Sequence, residues 1–110
     1  MKYKSILFAI LIQVLAAKSA FAFETGFNQG WLFNRYGTQW VASFDSNESQ
    51  RIIDLAQNAN AHIVRLWLFE GNQSSALVWE NNRAVSLNPV FLKNLKIVIQ
   101  QAYQKNMKLN

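Results

Sequence analysis

Apolar and polar positions change rhythm several times along this chain. Residues 61 to 71, AHIVRLWLFEG, alternate in steps of two. Ile63, Arg65, Trp67 and Phe69 fall on one face and Val64, Leu66 and Leu68 on the other. Both faces are apolar apart from the arginine, the pattern of a parallel strand covered on both sides, and a strand is expected from His62 to Phe69. Upstream the period lengthens. Ile52, Ile53, Ala56 and Ala59 form a helical stripe with Leu55 beside it, which predicts a helix over 46–59. Asp45 stands at the N-cap with Glu48 in the capping-box position, and Asn60 is suited to the C-terminal cap. Downstream, Asn88-Pro89 sets a cap and a first-turn proline ahead of a stripe of Phe91, Leu92, Leu95, Val98, Ile99 and Ala102. Asn106 ends that helix, and Met107-Lys108-Leu109 begins another strand.

The remaining segments are shorter. FETGFNQGWLF, 23 to 33, is punctuated by Gly26 and Gly30 and reads as a short strand or extended piece with a turn. NRYGTQWVASF, 34 to 44, reads as an aromatic loop, and 71–75 as a polar one. Residues 76 to 85 suit a short hairpin or an irregular insert around Glu80-Asn81-Asn82-Arg83. The order is strand, helix, strand, helix, start of strand, which makes a parallel sheet with right-handed crossovers. The class is α/β. The sequence stops inside the last predicted element, so a third strand is expected to continue past Asn110.

The first residues alter the reading of charge. Met1-Lys2-Tyr3-Lys4 is a basic start, Ile6 to Ala17 is apolar except for Gln13, and Ala20-Phe21-Ala22 has the small-residue pattern of a cleavage site. A secretory signal peptide over 1–22 is expected, cut after Ala22, with the working chain in 23–110 exported to the medium or periplasm and no membrane attachment afterwards. The apolar run is too short for the ~20 residues that span a bilayer. The full chain carries 11 basic and 6 acidic residues, net +5. Lys2, Lys4 and Lys18 leave with the signal, so the mature part is only weakly basic. Its arginines are scattered, which argues against nucleic acid as a partner. Cysteine is absent, which excludes disulfides and thiolate metal sites. No His/Glu/Asp cluster has metal-ligand spacing and no glycine-rich phosphate loop occurs, so neither a metal nor a cofactor is expected. Asn47-Glu48-Ser49 and Asn72-Gln73-Ser74 are glycosylation sequons if the source is eukaryotic.

Arg65 is the residue that most needs explaining. A guanidinium within an apolar strand is costly unless paired, and no acid near it in sequence is well placed. His62, the only histidine, sits at the amino-terminal end of the same strand and reads as structural.

GFNQGWLFNRYG, AQNANAHIVRLWLFEG and NPVFLKNLKIVIQQAYQKNMKLN, in that order, resemble the amino-terminal part of clan A glycoside hydrolases, nearest the cellulase and mannanase group of glycoside hydrolase family 5. The resemblance covers 23–110, with Val64-Arg65-Leu66-Trp67 as its most specific piece. It implies the first βα units of a (β/α)8 barrel, truncated in the third strand. It also implies a secreted enzyme that hydrolyses a β-linked polysaccharide such as β-glucan or β-mannan with retention, through two glutamates. Those glutamates belong to the family's fourth and seventh strands, so no catalytic residue is expected in this chain. Asn47-Glu48 repeats the family's dipeptide but falls in the first turn of a helix, where it reads as capping. Arg65 matches the arginine that supports the nucleophile; a structural salt bridge is its other reading. Asn28, Trp31, Trp67 and Glu70 are candidates for substrate binding. Against these stand core packing for Trp67 and a solvated loop for Glu70. On this reading residues 23–110 alone are inactive and self-associate or fold only in part, because the inward strand face lacks its opposite wall. The rival reading is a secreted, non-catalytic carbohydrate-binding or protein-interaction protein.

Overall fold

The computed structural model describes residues 24–32, 38–69 and 75–110. The leader expected over 1–22 lies outside them, as does Glu70. The described chain runs β1 (Gly26–Asn28), α1 (Ser46–Asn58), β2 (Ile63–Arg65), β3 (Leu77–Glu80), β4 (Arg83–Leu87), α2 (Pro89–Gln104) and β5 (Lys108–Leu109). β1, β2 and β5 make a parallel sheet in that spatial order, with Gly26 opposite Ile63, Ile63 opposite Lys108 and Asn28 opposite Arg65. Each step along the sheet goes the same way, so both crossover helices lie on one side and touch each other. The architecture is α/β. It is an open sheet among the described residues, not a closed barrel.

Both helices begin and end where their caps require. The Asp45 carboxylate accepts the Asn47 N–H at 2.8 Å and the Glu48 N–H at 3.4 Å. Glu48 does not close the reciprocal capping box; it turns to Arg51, whose Nε donates to it at 2.8 Å. The Asn88 side chain accepts the Val90 N–H at 2.9 Å ahead of Pro89. At the far ends Asn60 and Asn106 both have positive φ, 58° and 53°. In each case the next residue bonds five positions back, Ala61 to Ala56 and Met107 to Ala102, which makes two Schellman caps. Asparagine tolerates that left-handed conformation, and each turn delivers the chain directly into a strand. The hairpin expected around 80–83 is also present. Asn81 and Asn82 have φ of 49° and 61°, the two-residue turn that matches strand twist.

One core holds these pieces together. Val64 and Leu66 from β2 and its extension meet Ile52, Ile53 and Ala56 of α1, Phe91, Val98 and Ala102 of α2, and Trp40, Leu32, Ala76 and Met107 from the connections. Three sequence expectations need correction. The buried stripe of α1 is Ser49, Ile52, Ile53 and Ala56, while Ala59 and Leu55 are exposed. Ser49 is admitted because its hydroxyl donates to Gln101 Oε1 at 2.7 Å, across to α2. The buried stripe of α2 is Phe91, Asn94, Val98 and Ala102, with Leu92 and Ile99 left about half exposed. The helix carries apolar side chains over more than one face, and only the face toward Val64 is covered. Finally, β2 is not covered on both sides. Val64 is fully buried beneath the helices, but Arg65, Trp67 and Phe69 on the opposite face are exposed. The regular strand is also shorter than His62 to Phe69, because its neighbours are short. Ladder-like bonds still continue from Leu66 N–H to Asn110 O and from Trp67 N–H to Gly30 O.

Candidate functional site

The uncovered face of the sheet collects the polar candidates at its carboxyl end. Register places Asn28 beside Arg65. Asn110 completes the row, since it donates to Val64 O and accepts from Leu66 N–H, on either side of Arg65. With Glu24, Gly26, Phe27 and Ile63 these residues line an open depression of about 340 Å³. Arg65 is exposed, and the acidic partner its position asked for is not among the described residues. The ion pairs formed there are Arg51 with Glu48, Lys105 with Asp54 and Lys108 with Glu24. Exposure explains how the charge is tolerated: water solvates it where a second layer was expected.

One step further toward the carboxyl end the face turns aromatic. Trp67 lies over Gly30, where a Cβ would stand 3.3 Å from its ring carbons, so a larger residue would push the ring outward by a few tenths of an ångström. Trp31 meets Trp67 edge to face, with centroids 5.4 Å apart and planes at 84°. Both rings are more than a third exposed. The core-packing reading of Trp67 is therefore not what is found; it is a surface aromatic on the Arg65 face. Asn28, Arg65, Trp31 and Trp67 come together on that face, whereas Glu70 lies outside the described residues.

The support beneath the tryptophans was not legible from the sequence. Trp67 O accepts Trp40 Nε1–H at 2.9 Å and the Gln39 amide at 3.4 Å. Gln39 Oε1 accepts the Leu32 N–H at 2.7 Å, and Asn94 Nδ2 donates to Trp40 O at 2.9 Å. Gln39, Trp40 and Asn94 are all buried. A signal did exist: Asn94 falls three residues after Phe91 and four before Val98, a polar residue within an apolar stripe.

The paired charges are of a different kind, and of them Glu24–Lys108 lies at the amino end of the sheet. The carboxylate of Glu24 is held below its ordinary range, first by a hydrogen bond from Lys108 and then by that ammonium's charge. Glu48 is lowered in the same way by Arg51, and Asp54 by Lys105 with help from Gln50. His62 is exposed and contacts Thr25 Oγ1 at 3.3 Å at this end, away from Arg65. Glu48 lies in the first turn of α1, but its carboxylate pairs with Arg51 and does not cap the helix, so only the helix-dipole part of its expected role is met. Among the described residues no acidic or histidine cluster has the makings of a metal site, and no helix is long and apolar enough to cross a membrane. Nor do these residues place two carboxylates at the sheet's carboxyl end, the pair that glycoside hydrolysis requires. What the arrangement offers is recognition: flat apolar rings next to amide and guanidinium donors. No protein family, curated protein or solved structure matches this chain.

Proposed function

We propose that this chain is the amino-terminal βα portion of an exported clan A glycoside hydrolase, nearest the cellulase and mannanase group, and that its uncovered sheet face binds a β-linked polysaccharide. The observation that carries the reading is the gathering of Asn28, Arg65 and the Trp31–Trp67 pair at the carboxyl ends of parallel strands, where α/β folds put their ligands. Sugar rings present axial hydrogens that pack on indole faces and hydroxyls that bond amides and guanidinium groups. The open edge supports the barrel part of the proposal. Leu109 alternates with residues bonded to β2, so its backbone polar groups point away from the sheet. Beside it Leu66, Leu68, Leu95, Ile99 and Leu109 line an apolar groove of about 250 Å³. A further strand and helix, repeating the α1–α2 packing, would fill both. In the completed enzyme Arg65 would hold the nucleophilic carboxylate ionised, a task its planar, permanently charged fork suits.

The test is a titration of the full chain with cello- and manno-oligosaccharides, followed by tryptophan fluorescence, beside a reducing-sugar assay. Binding lost in Trp67→Ala, with no hydrolysis by either protein, is the expected result. A folded chain that binds neither sugar would sink the carbohydrate reading. The second reading, a secreted interaction protein, is favoured by the exposed Val78, Trp79, Val85 and Leu87 of the hairpin. It would gain if the chain were dimeric and indifferent to sugars.

A further inference from the structure

We infer that Gln39 is a positioning residue whose single side-chain amide ties the backbone beside Trp31 to the backbone of Trp67 and so fixes the edge-to-face geometry of the two rings. The sugar-binding consequence rests on the reading above; the tie itself does not. Gln39 is 1% exposed. Its oxygen accepts from Leu32, the residue after Trp31, and its nitrogen donates to the carbonyl of Trp67, 28 residues away in sequence. One planar, uncharged group thus supplies an acceptor to one tryptophan segment and a donor to the other. The 3.4 Å bond is the weaker of the two, and Trp40 Nε1–H shares the same carbonyl at 2.9 Å. Trp40 is in turn held by Asn94 on α2. The turn 38–40 therefore carries two adjacent donors to one carbonyl and is itself pinned to the core. On the far side Trp67 N–H is bonded to Gly30 O at 3.1 Å, so the Trp67 peptide groups are held from both ends. Between those anchors the relative pose of Trp31 and Trp67 is set by the Gln39 bridge.

The experiment uses the full chain, Trp31→Phe as a spectral reference, and two substitutions of Gln39. Near-ultraviolet circular dichroism reports the indole pair, and the part of the spectrum that vanishes in Trp31→Phe belongs to it. Gln39→Met keeps the length and loses the bonds to Leu32 and Trp67; the pair signal should collapse at every pH, with oligosaccharide affinity down about fivefold to tenfold. Gln39→Glu keeps the acceptor for Leu32. When ionised it sets an oxygen against Trp67 O, and when protonated it donates an O–H to that same atom. Its pair signal should therefore return as pH falls through the new carboxyl's pKa, which burial raises, while the wild-type signal stays level. A merely space-filling role predicts no such pH dependence. Retention of the wild-type pair signal by both variants across the whole pH range would overturn the assignment. Should Gln39→Met fail to fold, the protonated arm of Gln39→Glu still decides. If the signals behave as described but wild type binds no oligosaccharide, the carbohydrate reading falls and the positioning role stands.

Discussion

The two faces of the same short sheet are built on opposite terms. On one, Val64 and Leu66 are sealed beneath α1 and α2, and the buried polar side chains of those helices have partners. Ser49 reaches Gln101, and Asn94 reaches Trp40 O. On the other, Arg65 and Trp67 are exposed, and Phe69 is half exposed at its margin, where its ring reaches buried Phe91. Successive residues of one strand thus face the core and solvent in alternation. The lesson is that stability here comes from one face, which leaves the other free to carry side chains chosen for what they touch.

The comparison breaks most visibly at the two phenylalanines that meet across its boundary, with centroids 5.8 Å apart. Phe91 is 1% exposed and packs edge to face on Trp40. Phe91→Ala should cost about 3–5 kcal/mol, enough to unfold so small a domain. Phe69 is half exposed, and Phe69→Ala should cost about 1 kcal/mol or less. Urea unfolding of the two variants measures the contrast, and equal losses would mean that the sheet has no uncovered face. Asn94→Leu comes next. It leaves Trp40 O buried without its donor, at a cost of about 1–3 kcal/mol. The same denaturation experiment reads it, and a neutral result would show that this carbonyl finds water.

Arg65→Ala should lie within about 0.5 kcal/mol of wild type in stability, because the side chain is exposed and forms no ion pair among the described residues. Its loss should appear in oligosaccharide affinity instead. A large destabilisation would return Arg65 to the structural salt-bridge reading and take it out of the site.

How much of this was readable in the chain depends on how local the cause was. Caps were legible, because Asp45, Asn88, Asn60 and Asn106 act within a few residues of themselves. The alternation of β2 and the two-asparagine turn were legible for the same reason. What covers a face is not local. The periodicity of 61–71 marks two apolar faces but carries no record of how many layers pack on them, so the open side of β2 was misread as covered. The stripe of α2 was misjudged likewise: Leu92 and Asn94 exchange their expected places because the direction toward Val64, not hydrophobicity alone, decides burial. Gln39 could not have been found, since its partners lie 7 and 28 residues away and its own neighbourhood reads as loop.

The smallest expected effect belongs to the exposed paired charges. Glu24, Glu48 and Asp54 all have carboxyl groups lowered from ordinary values of 4.5, 4.5 and 3.8 by a cationic partner. A lowered acid favours the folded state fully above its unfolded pKa, and that contribution is lost as pH falls through the folded one. The window therefore lies below about pH 4.5 and not near neutrality. Each pair is solvent-exposed, so screening keeps its contribution small and salt should reduce it further. Lys108→Gln removes the ammonium that lowers Glu24 while leaving β5 its backbone bonds to His62 and Val64. Compared by urea unfolding between neutral and acid pH at low salt, the variant should lose less stability on acidification than wild type. Because Lys108 shares the uncovered face with Arg65 but sits at its amino end, oligosaccharide binding should be unchanged. A variant with the wild-type acid profile would show that the pair is ornamental. One that lost sugar binding would extend the recognition surface down the whole length of the sheet.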